Sequence, residues 1–519
     1  MNIASLVSRF GKYYGDRTAI VFGDKRLTYA EVTNRINRLS NSLLDLGVKE
    51  DDRVALICGN CPQFMEVYFV RRQLGLVEVN IDQRLSAEEW VRQINECDVN
   101  TIFVAQEQTP KLSLVRSELS KVKHFIAFSG KPSDMVDYET LISSGSSKQP
   151  EIDLDDSKLC KIIFTGGTTG RPKGIEISRR AEAAMIKNVM IDLIPDLRFE
   201  DVFVGLQPMS HAVHSFFFPC WRKGATQVVV QDFHPEPVFD VIEKEEVTII
   251  KTVPTVLVRL ISHPDVGKRN FKSIRTICYG ASPMSVDKLQ KAISIFGPVF
   301  VQNYGQSEAP MTICTLSKKD HIVEGEPKKV GRLASVGQPY SWVEVKIVDE
   351  TAKEVAPGET GELIVRSEHQ MTRYLNRPEE TDETLKDGWI YTGDIARMDE
   401  EGYIFLVDRK HDMIITGGLN VFPGEVEQIL YRHPDVVEAS VFGIPDERWG
   451  ESVMAAVALK PGSKVTEEKI IDFCEQHLAH FKVPKKVTFH DSLPKSSAGK
   501  ILRRELRAPY WKGYERAIH

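Results

Sequence analysis

From residue 150 onward the chain alternates short apolar runs with amphipathic stretches, and no other feature constrains its fold more. The apolar runs lie at 161–164, 202–206, 227–230, 247–253, 274–278 and 299–301, and amphipathic segments fill 236–246 and 285–296. Strands alternating with helices predict α/β layers built on parallel sheet. Several runs end in polar or glycine-rich segments, where open α/β sheets place their ligands. Upstream, Val32, Ile36, Leu39, Leu43 and Leu46 recur at helical spacing, which predicts a helix over 28–46. Thr28 and Glu31 form its capping box and Gly47 its C-cap. A strand is predicted at 54–57 and a surface loop at the Ser/Gly patch 143–147. No internal repeat is visible.

The texture changes near residue 400. An acidic, turn-rich stretch at 393–402 leads into a predicted strand at 403–407 and then the charge run Asp408-Arg409-Lys410-His411-Asp412. Smaller β and α patterns follow at 436–442, 453–459 and 467–477. We place a boundary there, giving a large unit over 1–408 and a small one over 409–519, with a hinge near 408–412. Of 519 residues, 42% are hydrophobic and 27% charged, which is globular and neither disordered nor coiled coil. No apolar stretch is long enough to cross a membrane and the N-terminus has no secretory pattern, so a cytoplasmic protein is expected. The net charge of −6 gives no reason to expect nucleic acid as a partner. The segment 482–516 nevertheless holds ten basic and three acidic residues, and is either a solvated face or a strip that meets phosphates. Eight scattered cysteines suit a reducing compartment. Cys58 and Cys61 have C-x-x-C spacing without the second pair a zinc ribbon needs, and read as strand-and-turn cysteines.

The strongest chemical signal is Phe164-Thr165-Gly166-Gly167-Thr168-Thr169-Gly170-Arg171-Pro172-Lys173-Gly174, directly after an apolar run. Its glycines expose backbone N–H groups, its threonines add hydroxyls and Lys173 adds a cation, a composition suited to a polyphosphate. It lacks the spacing of a Walker A loop. This segment resembles the phosphate-binding signature of the adenylate-forming superfamily, which includes acyl-CoA synthetases, nonribosomal peptide synthetase adenylation domains and firefly luciferase. A glycine, Gly167 or Gly166 depending on alignment, replaces the family's serine, removing one hydroxyl donor.

The resemblance continues in the family's order. Pro208-Met209-Ser210-His211 is similar to the segment whose histidine lies beside the acyl carboxylate. Tyr279-Gly280-Ala281-Ser282-Pro283 resembles the small-residue turn against which adenine stacks. Asn303-Tyr304-Gly305-Gln306-Ser307-Glu308 is similar to the family's Tyr-Gly-x-Thr-Glu. The resemblance implies Tyr304 on adenine, Ser307 on the α-phosphate and Glu308 holding Mg²⁺. Tyr391-Thr392-Gly393-Asp394 matches the ribose element, with Asp394 accepting from the ribose hydroxyls. The run 408–412 resembles the family hinge, with Arg409 on ribose or phosphate and His411 where the family usually has Lys or Asp. Gly417 and Gly418 match the loop beside the thioester tunnel. Lys500, in Pro494-Lys495-Ser496-Ser497-Ala498-Gly499-Lys500, matches the adenylation lysine.

The resemblance implies an α/β fold: a large multi-layer body of parallel-sheet layers with a smaller β part, and a small, mobile α+β lid. It implies two half-reactions. A carboxylate attacks the α-phosphorus of ATP, releasing pyrophosphate; a thiol then takes the acyl group, releasing AMP. ATP, Mg²⁺ and coenzyme A are the implied cofactors, with a small carboxylic acid as substrate. The chain ends soon after Lys500 with no fused carrier domain, which favours coenzyme A over a carrier-protein thiol. A non-enzymatic nucleotide-binding relative is the third reading, disfavoured by the presence of Glu308, Asp394 and Lys500. The acid is expected to meet His211, Val213, His214, Ser215, Phe216 and Phe217, with Tyr279, Gln302, Asn303, Gln306 and Met311 opposite. Such mostly apolar walls suit an aromatic or medium-to-long fatty acid. His211 and His214 are too few ligands for a metal. Monomer and homodimer both remain open.

Overall fold

The computed structural model describes residues 3–130, 134–164, 172–282, 284–409, 412–416, 419–496 and 499–512; side chains of residues 3–5, 408, 409 and 420 lie outside that description. The predicted alternation is realised as two large sheets. In the nine-stranded sheet, Thr226–Val228, Val202–Gly205, Ile249–Thr252, Thr276–Gly280 and Phe300–Tyr304 run side by side in parallel. Antiparallel strands close both of its edges. The eight-stranded sheet has a parallel centre, with Leu159–Phe164, Val77–Asn80, Arg53–Ile57 and Thr101–Val104 as neighbours. A five-stranded antiparallel sheet over residues 344–409 supplies the smaller β part.

Local sequence explains several elements. Helix Tyr29–Asp45 starts at Thr28, whose hydroxyl accepts from the Glu31 N–H while the Glu31 carboxylate accepts from the Thr28 N–H. It ends with Gly47 at φ +85° and bonds from Gly47 to Leu44 and from Val48 to Leu43, a Schellman motif. Leu46 is therefore the C-cap, and Gly47 follows it. The 143–147 patch is less of a loop than expected. Ser143 and Ser144 end helix Tyr138–Ser144, and Gly145 is buried, with room for no side chain because a Cβ would lie 2.0 Å from the Arg38 carbonyl oxygen.

One core cluster joins helices Tyr29–Asp45 and Pro62–Leu74 to strands of both large sheets and of the five-stranded sheet. Helix Pro62–Leu74 is buried nearly all round, which explains its weak amphipathic pattern. It nonetheless buries Glu66, Arg71, Arg72 and Gln73. Cys61 caps this helix and Cys58 follows strand Arg53–Ile57; both thiols are free.

Strand Ile404–Arg409 still pairs with the five-stranded sheet, and Ile414–Thr416 belongs to a fourth sheet. That sheet carries the long hairpin Val436–Asp446 and Gly450–Leu459, with Lys486–His490 parallel to its second arm. Helices Pro423–Arg432 and Glu467–Glu475 cover it through Val426, Leu430, Ile470 and Cys474. The mixed α/β class is thus as predicted, with a small α+β unit at the C-terminal end.

Candidate active site

In the nine-stranded sheet, the chain leaves Val202–Gly205 to one neighbour and returns on its other side, so the strand order reverses there. Ligand crevices form beyond the carboxyl ends of strands at such a point. A cleft of about 2900 Å³ opens there, lined by both the large body and the C-terminal unit.

Each wall is the sequel to a strand. Phe300–Tyr304 delivers Tyr304 and the turn carrying Gln306, Ser307 and Glu308 to the cleft. The Tyr304 hydroxyl donates to Oδ2 of Asp394, on the long strand Trp389–Met398. Gly393, at φ +68°, makes the bend before Asp394, and its N–H is held by Glu362. The Asp394 N–H donates to the Thr392 hydroxyl at 3.0 Å. Arg409 pairs with Asp394 across the strands. Tyr374 donates its hydroxyl to Glu308 at 2.8 Å, and burial together with that carboxylate pushes the phenol's pKa up.

Two glycines are sterically required. A Cβ on Gly280 would lie 2.2 Å from the Asn303 carbonyl oxygen, and one on Gly305 would lie 2.5 Å from the Met311 nitrogen. Next to Gly280, Ala281 takes φ +73° and lines the cleft with Ser282. Asn303 Oδ1 accepts from buried Lys251 at 2.5 Å. Burial, with no carboxylate to offset it, lowers the pKa of Lys251 to about 8.

The C-terminal unit contributes Lys500 to the same cleft. Gly499, at φ +79°, brings that turn against the body: a Cβ there would meet the Thr255 hydroxyl at 2.8 Å. Three members of the basic strip are paired within their own unit. Lys482 pairs with Glu425, Lys495 with Glu438, and Arg503 with both Asp412 and Glu427. Lys173 pairs with Glu380 at 2.5 Å at the cleft wall. The expected residues Thr165, Gly166, Gly167, Thr168, Thr169, Gly170, His411, Gly417 and Gly418, and the Arg409 side chain, lie outside the described residues.

The expected acid-binding wall needs correction. His211, His214, Ser215, Gln302, Asn303 and Met311 do line the cleft. Val213, Phe216, Phe217 and Tyr279 do not; they are at most 1% exposed and belong to the core. Val213 packs over Gly205, Phe216 stacks on Phe203, and Phe217 meets Phe64 and Tyr68. The cause is the 3-10 turn Ala212–Phe216, which sends successive side chains to different sides. Polar groups line the cleft as well: Asn80, Lys161, Glu182 and Gln207. Burial depresses both histidines, His211 to about 4 and His214 to about 3, so both are neutral at physiological pH.

Residues 7–375 match the family model of the AMP-binding enzymes, and residues 425–500 match that of the AMP-binding enzyme C-terminal domain. The chain is 32% identical to a medium/long-chain-fatty-acid–CoA ligase of Mycobacterium tuberculosis, covering 98% of this chain and 90% of the relative. It is 33% identical to a feruloyl-CoA synthase of an Amycolatopsis species, covering 94% and 95%. Among solved structures, an anthranilate CoA ligase in complex with anthranoyl-AMP superposes with a TM-score of 0.90 at 25% identity, covering 98% of this chain and 97% of that one. The chain therefore belongs to the AMP-binding enzyme family, the adenylate-forming enzymes that include the acyl-CoA synthetases, and is an enzyme of the acid–thiol ligase class.

Proposed function

We propose that this enzyme joins a carboxylic acid to coenzyme A in two steps, forming an acyl-adenylate and then a thioester, and that the acid is aromatic or of medium-to-long chain. The carrying observation is that Tyr304, Ser307, Glu308, Asp394, His211 and Lys500 share one cleft although they come from four separate stretches of both units. Asp394, 4% exposed, is a carboxylate that can accept from ribose hydroxyls. Ser307 offers a hydroxyl to the α-phosphate. The small residues Gly280, Ala281 and Ser282 leave a flat edge for adenine beside Tyr304. Neutral His211 can donate to the reacting carboxylate without trapping it as an ion pair.

Glu308 suits Mg²⁺: it is a half-buried carboxylate, a hard oxygen donor beside Ser307, and Mg²⁺ takes one or two carboxylates plus substrate phosphates. Bound there, the ion would offset charge on the phosphates. Carboxylate and triphosphate repel, so the site must supply positive charge as the bond forms, and Lys500 supplies it from the C-terminal unit. We assign that unit to 409–519, with the hinge at 408–412 and the loop 417–418 serving the second step.

Incubation with ATP, coenzyme A and a panel of benzoate-like and C6–C16 acids tests the reading. AMP, pyrophosphate and an acyl-CoA are expected in equal amounts. Turnover only with amino acids or acetate would refute the substrate class; turnover only with a carrier protein in place of coenzyme A would refute the acceptor.

A further inference from the structure

Behind His214 lies a buried ionic cluster that the reaction outlined above does not use. Glu78 and Lys161 are cross-strand neighbours on the parallel strands Val77–Asn80 and Leu159–Phe164. The Lys161 ammonium is 3.4 Å from Glu78. Glu78 also pairs with Arg71, and both Arg71 and Arg72 reach Glu182, at 2.7 and 2.6 Å. All five are at most 7% exposed.

Their charges do not balance. Among the described residues the cluster holds three cations and two carboxylates, and all four other members act on Lys161. His214 does not restore the balance. Its Nδ1 faces the Met209 carbonyl oxygen at 3.1 Å, so Nδ1 carries the proton and Nε2 offers a lone pair. Lys161 donates to that Nε2 at 2.7 Å. The ammonium thus donates to His214 and lies beside Glu78, and within the cluster one positive charge is left over in a wall where all five side chains are buried. Burial lowers the pKa of Lys161, the direction expected of an ammonium short of a counter-charge.

Lys161, Glu182 and His214 nonetheless line the cleft. So do Asn80 and Gln207. His211 caps the 3-10 turn that carries His214 and both line the cleft, so a ligand whose one end meets His211 can reach His214 with its other.

We propose that the acid activated here is a dicarboxylic acid, with an aromatic or aliphatic spacer, whose second carboxylate is received by Lys161 beside His214. This rests on the acid-activating reading above and narrows its substrate class. A phenol would not serve, because it stays neutral at pH 7 and leaves the charge uncompensated.

Acid-dependent ATP–pyrophosphate exchange with matched pairs tests it: terephthalate against 4-methylbenzoate, and adipate against hexanoate. In the wild type each diacid is expected to exceed its partner at least tenfold in kcat/KM. In Lys161→Met the ratio of diacid to monoacid is expected to fall at least tenfold. Should Lys161→Met fail to fold, Lys161→Met with Glu78→Gln removes one charge of each sign and is expected to show the same fall. A wild type that prefers the monoacids, or a ratio unchanged in the variants, overturns the proposal while leaving acid activation standing. Exchange with none of the four acids, nor with any other carboxylic acid, overturns acid activation and this proposal together.

Discussion

The two ends of the cleft are built on different principles. At the end holding Tyr304, Glu308 and Asp394, each side chain sits in or beside a turn and needs one or two partners: Tyr304 on Asp394, Tyr374 on Glu308. At the end holding Lys161, Glu182 and His214, function-bearing groups are fused to a five-member ionic cluster inside the core. The difference teaches where substitutions are expected to act. A change at the first end alters binding and rate and leaves the fold in place. A change at the second end reaches stability as well, because it leaves a buried charge without its partner.

The largest effect expected on stability is at Arg71, which joins Glu78 to Glu182. Arg71→Met should lower the unfolding free energy by about 3–5 kcal/mol, read by urea denaturation; a loss below about 1 kcal/mol would dissolve the contrast between the two ends. Lys251 gives a pH-dependent counterpart. Its folded-state pKa, about 8, lies below the ordinary 10.5, so the folded state bears a cost at neutral pH that fades as pH rises from 8 to 10.5. Over that window the stability of the wild type relative to Lys251→Met should rise by about 3 kcal/mol. A pH-independent difference would mean that Lys251 folds without a protonation penalty.

Asp394→Asn should act the other way round. Removing a charge-assisted acceptor, worth about 1.5–3 kcal/mol, should raise the KM for ATP by ~10- to 100-fold, with the urea midpoint little changed. The smallest effect is at Thr28, far from either end. Thr28→Ala breaks a capping box and should cost about 1 kcal/mol of stability with kcat/KM unchanged.

The same contrast governs what could be read in the sequence. Turn-borne groups are local: residues 303–308, 391–394 and 494–500 hold their site residues within a few positions, so spacing and residue type reveal them. The capping box at Thr28 and the six strand runs are legible for the same reason, since periodicity is a local property. The ionic cluster is not local. Arg71 and Glu182 are 111 residues apart, and only the layering of helix Pro62–Leu74 between the sheets brings them together. The one available signal was charge beside apolar runs: Arg71 and Arg72 directly after Val67-Tyr68-Phe69-Val70, and Lys161 opening an apolar strand run. The misplacement of Val213, Phe217 and Tyr279 has a related cause. Proximity in sequence to His211 or to Gly280 puts a residue near the cleft, but the turn or strand decides which side of the backbone faces it. Tyr374 and Glu380, which hold Glu308 and Lys173, were invisible because their partners are 66 and 207 positions away in the chain.

Lys500 carries the central claim, that a cation from the C-terminal unit and a nucleotide site in the body form one adenylating centre. The direct measurement is acid-dependent ATP–pyrophosphate exchange in the wild type and in Lys500→Ala, with ATP binding followed separately. Loss of one preorganised donor costs about 2.7–4 kcal/mol, so exchange should fall by ~10²–10³-fold while ATP still binds. Exchange at the wild-type rate in Lys500→Ala would contradict the claim.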